Sequence, residues 1–145
     1  MNIKFVYLIA ILSSLHVIDA HACSCSNLSD KQRYLDASDI FLGTVVETKL
    51  LTKAEQLDDQ ITSNDQVQAK IRILKGIKGK SSVHLGQHID LLDSVANGAN
   101  CAIGLFTGRQ YLFYLNGSKV LSLCDGTRLY NEFADQELIQ EMLSY

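Results

Sequence analysis

"VQAKIRIL", residues 67 to 74, sets Val67, Ala69, Ile71 and Ile73 against Gln68, Lys70 and Arg72. Successive strand side chains point to opposite faces, so this run has one apolar face and one polar face, as a half-buried strand does. Working outward, "IFLGTVV" (Ile40 to Val46) is rich in β-branched and aromatic residues and reads as a second strand, with Gly43 as a bend or bulge. Between them, Thr52 to Gln66 is polar and acidic, which predicts an exposed hairpin loop. On the far side, "KGIKGK" (Lys75 to Lys80) reads as a glycine-punctuated turn leading into a strand over "VHLGQHIDLL". "QYLFYL" and "KVLSL" flank Asn116-Gly117, a tight-hairpin signal.

Helices are confined to the ends of this pattern. Ser29 to Ser38 is compatible with a short helix, and "DQELIQEML" places Leu138, Ile139 and Met142 at helical spacing for packing on a sheet. About five short strands, hairpin turns and one or two helices predict a mainly β fold: a five-stranded barrel of the oligonucleotide/oligosaccharide-binding (OB) type.

The first 22 residues read as a secretory signal peptide. Lys4 precedes an apolar run from Phe5 to Ile18, and Ala20-His21-Ala22 fits the small-x-small cleavage pattern. That run is too short for a transmembrane anchor, which needs about 20 apolar residues, and Ser13, Ser14 and His16 interrupt it. Cleavage leaves Cys23 as the first residue and a single domain over residues 23–145. The expected location is therefore outside the cytosol, extracellular or periplasmic, with no membrane attachment after cleavage. A net charge of −3 provides no basic face for nucleic acid. A lipid anchor on Cys23 is disfavoured because Ala20 and His21 make a poor lipoprotein cleavage box.

Export bears directly on Cys23, Cys25, Cys101 and Cys124, because paired thiols persist as disulfides outside the cytosol. A bridge from Cys23 to Cys25 would strain a ring with one intervening residue. That leaves two pairings open, each tying the N-terminal cysteines to Cys101 and Cys124. Such bridges could be simple staples of a loose end. Oxidised sulfurs would bind no metal.

Cys23-Ser24-Cys25 at the cleavage site, "ASDIFLGTV" (Ala37 to Val45), "IRILKG" (Ile71 to Gly76), "NCAIG" (Asn100 to Gly104) and "GRQYLFY" followed by Cys124 together resemble the N-terminal domain of the tissue inhibitors of metalloproteinases, within the netrin-like group. The resemblance runs thinly over the whole mature chain. It implies bridges Cys23–Cys101 and Cys25–Cys124, spanning 78 and 99 positions (101 − 23 and 124 − 25). In the entropic model each would restrict the unfolded chain by about 4–5 kcal/mol.

The resemblance also implies a function. The free amine and carbonyl oxygen of Cys23 would chelate the catalytic zinc of a partner metalloprotease, displacing its water. Ser24 would enter the pocket for the substrate residue after the scissile bond. Cys25, Ser26, Asn97, Gly98, Ala99 and Asn100 would make secondary contacts. The zinc belongs to the protease, so the chain needs no cofactor, and it is expected to act as a monomeric inhibitor and not as an enzyme. It departs from the family in having Ser26 and Asn27 where a proline usually follows, and in lacking cysteines for a third disulfide. A non-inhibitory netrin-like binding or structural module is the alternative.

Other residues offer little chemistry. His84 and His88 are four apart, but the intervening "LGQ" has no Glu, and in a strand the two would lie about 13 Å apart. No serine sits in a Gly-x-Ser-x-Gly context. Asn27-Leu28-Ser29 and Asn116-Gly117-Ser118 match the N-glycosylation pattern in a eukaryote, and a glycan on Asn27 would obstruct docking.

Overall fold

The computed structural model describes residues 25–51, 66–79, 85–94 and 102–144. Helix α1 (Asp30–Asp36) leads into β1 (Asp39–Leu51), followed by β2 (Gln66–Lys78), β3 (His88–Ser94), β4 (Gln110–Leu115), a 3₁₀ turn (Leu123–Asp125), the short β5 (Arg128–Leu129) and helix α2 (Glu132–Met142). The strands form one antiparallel sheet in the order β3-β2-β1-β4-β5. The fold is mainly β with two short helices, and the sheet is not closed by its own strands.

Alternation in β2 follows the sequence: Ala69, Ile71 and Ile73 are buried, whereas Lys70 and Arg72 are exposed. The buried set joins Phe41, Val45, Leu91, Tyr111, Phe113, Leu115 and Leu121 in one core. Phe41 and Phe113 stack with ring centroids 5.0 Å apart. β4 reads as a continuous apolar run because both its faces are covered. Tyr111, Phe113 and Leu115 face the first core, while Leu112 and Tyr114 join Ala37, Ile40, Ile139 and Met142 beneath α2.

Gly43 lies at the second of three irregularities along β1, where the register shifts between Ile40 and Phe41, between Leu42 and Gly43, and again between Val45 and Glu47. Such bulges bend a strand and increase its twist, which curves the sheet around the first core. Both helices have side-chain caps. The Ser29 hydroxyl accepts from the Gln32 amide, and the Asn131 side chain accepts from the Phe133 and Ala134 amides.

Three local expectations are corrected. β2 continues through "KGIK" to Lys78, because Ile40, Phe41 and Leu42 of β1 supply backbone partners there. The segment "VHLGQHIDLL" is not one strand: Leu85 and Gly86 form a turn, with Gly86 at φ +79° and its amide donating to the Ile73 carbonyl, and β3 starts only at His88. Asn116-Gly117 does not join a hairpin. Its polar groups are taken elsewhere, Asn116 Nδ2 donating to Asp125 and the Gly117 amide to the Ser38 hydroxyl.

The chain after that turn crosses to β3. Val120 forms a parallel bridge with Leu92, through Leu92 N to Lys119 O (2.8 Å) and Leu121 N to Leu92 O (2.7 Å). This crossing buries Leu121 in the first core, an apolar gain that folding back on β4 would forgo. The fifth strand of the sheet is accordingly Arg128–Leu129 and not "KVLSL".

Candidate functional site

The described residues begin at the second cysteine of the N-terminal pair. Cys25 is bonded to Cys124, with their Cα atoms 5.1 Å apart across 99 positions of sequence. This is one of the two bridges implied by the family resemblance. Cys23, Ser24, Asn97, Gly98, Ala99, Asn100 and Cys101 lie outside the described residues, as does the Cys23–Cys101 bridge. Ser26 and Asn27 are exposed beside the observed disulfide.

A second tie lies next to the sulfur bridge. Arg33 on α1 donates from Nη1 to the Cys124 carbonyl (2.9 Å) and from Nε to the Leu28 carbonyl (3.3 Å). One guanidinium thus holds both chain segments that flank the disulfide, and its stem lies over Gly126, where an added Cβ would meet Arg33 Cδ at 3.0 Å. The planar fork suits two carbonyls at fixed separation better than a lysine ammonium would. A shallow groove of about 400 Å³ runs between Leu28 and Arg33 on one side and Leu123 and Arg128 on the other.

Arg128 braces the same end of the molecule. Its Nε and Nη2 donate to the buried Asp135 Oδ1 at 3.1 and 2.8 Å, and Nη1 lies 3.5 Å from Asp30 of α1. Asp135 also accepts the Asn131 amide, so one carboxylate joins β5 to the first turn of α2. Tyr114 lies buried beneath, 5.9 Å from the guanidinium carbon, and burial pushes its hydroxyl pKa up to about 12.

On the other side of the sheet, Asp93 near the end of β3 is only 2% exposed. Its Oδ1 accepts the Ser94 and Ile103 amides at 2.9 and 3.2 Å, and its Oδ2 accepts the Gly104 amide at 3.0 Å. Burial raises its pKa against the opposing pull of those backbone donors and of the Leu105 amide. The Tyr111 hydroxyl donates to the Gly104 carbonyl (3.2 Å) and accepts the Phe106 amide (3.0 Å). The segment immediately after Cys101 therefore gains its hydrogen bonds from side chains in place of a strand ladder.

Sequence reasoning passed over Arg33, Asp93 and Tyr111. Asp93 does carry a signal: it shares strand parity with Ile89 and Leu91, and an acid on an apolar face has a large desolvation cost unless several donors meet it. Arg33 offers none, since its partners are carbonyls that only the tertiary fold brings near. His88 is exposed on β3, and among the described residues no cluster of His, Cys, Asp and Glu could hold a metal ion. Among them, no helix is long and apolar enough to cross a membrane. Compared with known protein families the chain matches no family model, and compared with curated proteins it has no significant match.

Proposed function

We propose that this chain is an exported inhibitor of zinc metalloendopeptidases that acts through the N-terminal residue exposed by cleavage after Ala22. The observation that carries the reading is the Cys25–Cys124 bridge, reinforced by Arg33, which docks the beginning of the mature chain against the turn beyond β4. Two residues before Cys25, the α-amine and carbonyl of Cys23 would complete the coordination of the protease's zinc, because a catalytic zinc keeps a position for water or substrate. A wedge held in place beforehand loses little freedom on binding, which leaves more of the contact energy as affinity.

In this reading the domain is a netrin-like OB barrel extending over residues 23–145. The parallel bridge between Leu92 and Val120 supports closure, since it joins the free edge of β3 to the segment that follows β4. Ser24 would occupy the protease pocket next to the zinc, with Ser26 and the 97–100 stretch beside it. The zinc is the partner's, and the chain itself contributes no catalytic group.

The test is inhibition of a panel of purified zinc metalloproteases by mature protein beginning at Cys23, alongside a variant with one alanine added before it. The reading expects inhibition by the first and a loss of several kcal/mol of affinity in the second, because the zinc ligands are displaced while the fold is kept. Equal inhibition by both would remove the zinc-chelating mechanism. Inhibition by neither would leave a stapled netrin-like binding module, for which the Cys25–Cys124 bridge serves stability alone.

A further inference from the structure

We propose that Asn116-Gly117 is a self-modification site: deamidation of Asn116 is held in check by Ser38 and Asp125, and its conversion to aspartate or isoaspartate loosens the turn that carries Cys124. The co-reactant is water, and the proposal is independent of the inhibitor reading above.

The chemistry starts from the pair itself. Asn116 and Gly117 are exposed, Gly117 lies at φ +80°, and a Cβ built on it would meet nothing within 4 Å, so the pair is open to solvent. When the Gly117 nitrogen attacks Asn116 Cγ, a new C–N bond forms and the nitrogen gives its proton to solvent. The Cγ–Nδ2 bond then breaks as Nδ2 takes up a proton and leaves as ammonia. Water opens the resulting succinimide at either carbonyl, which yields aspartate or isoaspartate with no change of oxidation state.

The fold ties up both reacting groups. The Gly117 amide donates to Ser38 Oγ at 2.8 Å, and Asn116 Nδ2 donates to Asp125 Oδ1, also at 2.8 Å. A neutral hydroxyl is too weak a base to take the amide proton, so the first bond restrains the nucleophile. Ser38 is itself fixed: its Oγ lies 2.9 Å from the Leu115 carbonyl oxygen and 3.1 Å from Asp39 Oδ2, either of which can receive its single proton. The second bond anchors the Asn116 side chain to a residue nine positions along the chain, away from its own neighbour in sequence. Ring closure therefore proceeds from a turn that has opened.

The same anchor makes conversion consequential. An ionised carboxylate only accepts hydrogen bonds, so an aspartate at position 116 would set acceptor against acceptor and like charge against like charge beside Asp125. Asp125 ends the 3₁₀ turn Leu123–Asp125, next to Cys124. That turn is held by the Asp125 amide on the Ser122 carbonyl (3.1 Å) and by the Gly126 amide on the Leu123 carbonyl (3.4 Å), and these are the bonds that conversion loosens.

For the experiment, mature protein made without N-glycans is incubated in native buffer and in urea. Peptide mapping follows Asn116 separately from Asn97-Gly98, the other Asn-Gly pair in the sequence. Ser38→Ala and Asp125→Ala are incubated in native buffer, with thermal melting recorded to show that they are folded. Hydrogen exchange at the Asp125 and Gly126 amides is compared among wild type, Asn116→Asp, and the double variant Asn116→Asp with Asp125→Asn, which exchanges donor and acceptor across the same contact.

Asn116 should convert roughly tenfold or more slowly in the native protein than in urea, because closure waits on local opening. Each single alanine variant should convert roughly threefold to tenfold faster than wild type, the change in open population expected from one lost hydrogen bond. If Ser38→Ala does not fold, Asp125→Ala decides the matter. Exchange should quicken in Asn116→Asp and return towards wild type in the double variant. No conversion in urea would overturn the site itself. Equal rates in buffer and urea, or folded variants that convert no faster than wild type, would overturn the restraint. Unchanged exchange in Asn116→Asp, or exchange that stays fast in the double variant, would overturn the loosening by paired carboxylates.

Discussion

Replacing Gly43 with alanine tests the packing that bends β1. Gly43 is absent from the residues with positive φ, so alanine meets no backbone obstacle and the outcome depends on space. A Cβ there would approach Ile71 Cγ2 to 2.6 Å, the Arg72 carbonyl oxygen to 3.2 Å and Phe113 Cε2 to 3.3 Å. Ile71 and Phe113 are both fully buried, and the third neighbour is backbone, so nothing nearby is a free side-chain end that could swing away. Overpacking of this kind costs about 1–3 kcal/mol. Against it stands a gain of about 0.4–1 kcal/mol from restricting the unfolded chain. The net expectation is a loss of about 1–2 kcal/mol, seen in urea unfolding as a lower midpoint with unchanged slope.

A second substitution separates the clash from other causes. Ile71→Ala alone should cost about 2–5 kcal/mol by leaving a cavity. In the double variant the new methyl would enter that cavity, so the two changes should cost about 1–3 kcal/mol less than their sum. A Gly43→Ala protein as stable as wild type, or strict additivity with Ile71→Ala, would refute the claim that glycine is needed here to let β1 approach Ile71.

The remaining expectations concern charge, the disulfide and the proposed zinc ligand. Asp93 has a raised native pKa, so its contribution to stability is fully present below its ordinary value and is lost as pH rises through the raised value. Wild type should therefore gain stability relative to Asp93→Asn as pH falls from 7 to 4 in urea titrations, and a flat difference would contradict the burial argument. Arg33→Met removes the donors to Leu28 and Cys124 and should cost about 1–2 kcal/mol. It should also speed thiol reduction of Cys25–Cys124, and an unchanged reduction rate would show that the guanidinium does not guard the bridge. If the amine of Cys23 binds zinc, inhibition should weaken as pH falls below about 7.7–8.0, the ordinary range for a free α-amine. After correction for the protease's own titration, a flat profile would exclude that ligand.

Strand identity was legible wherever burial is one-sided, because period-2 alternation in "VQAKIRIL" records directly which side chains avoid water. Helix α2 was equally legible from the spacing of Leu138, Ile139 and Met142, and the bend at Gly43 from a glycine within a β-branched run. The extent of strands was not: "KGIK" carries turn residues yet pairs with β1, because backbone partners there override local preference. The Asn116-Gly117 signal failed for a related reason. Local turn chemistry could not register that Asp125 and Ser38 compete for those polar groups, or that Leu121 gains its burial beside β3. By itself the sequence determined a mainly β pattern with two cysteines near its start and two far along the chain. Only the tertiary structure brought Arg33 to the Cys124 carbonyl and Asp93 to the Ile103 and Gly104 amides, since backbone acceptors and donors look alike at every position until the fold brings particular ones together.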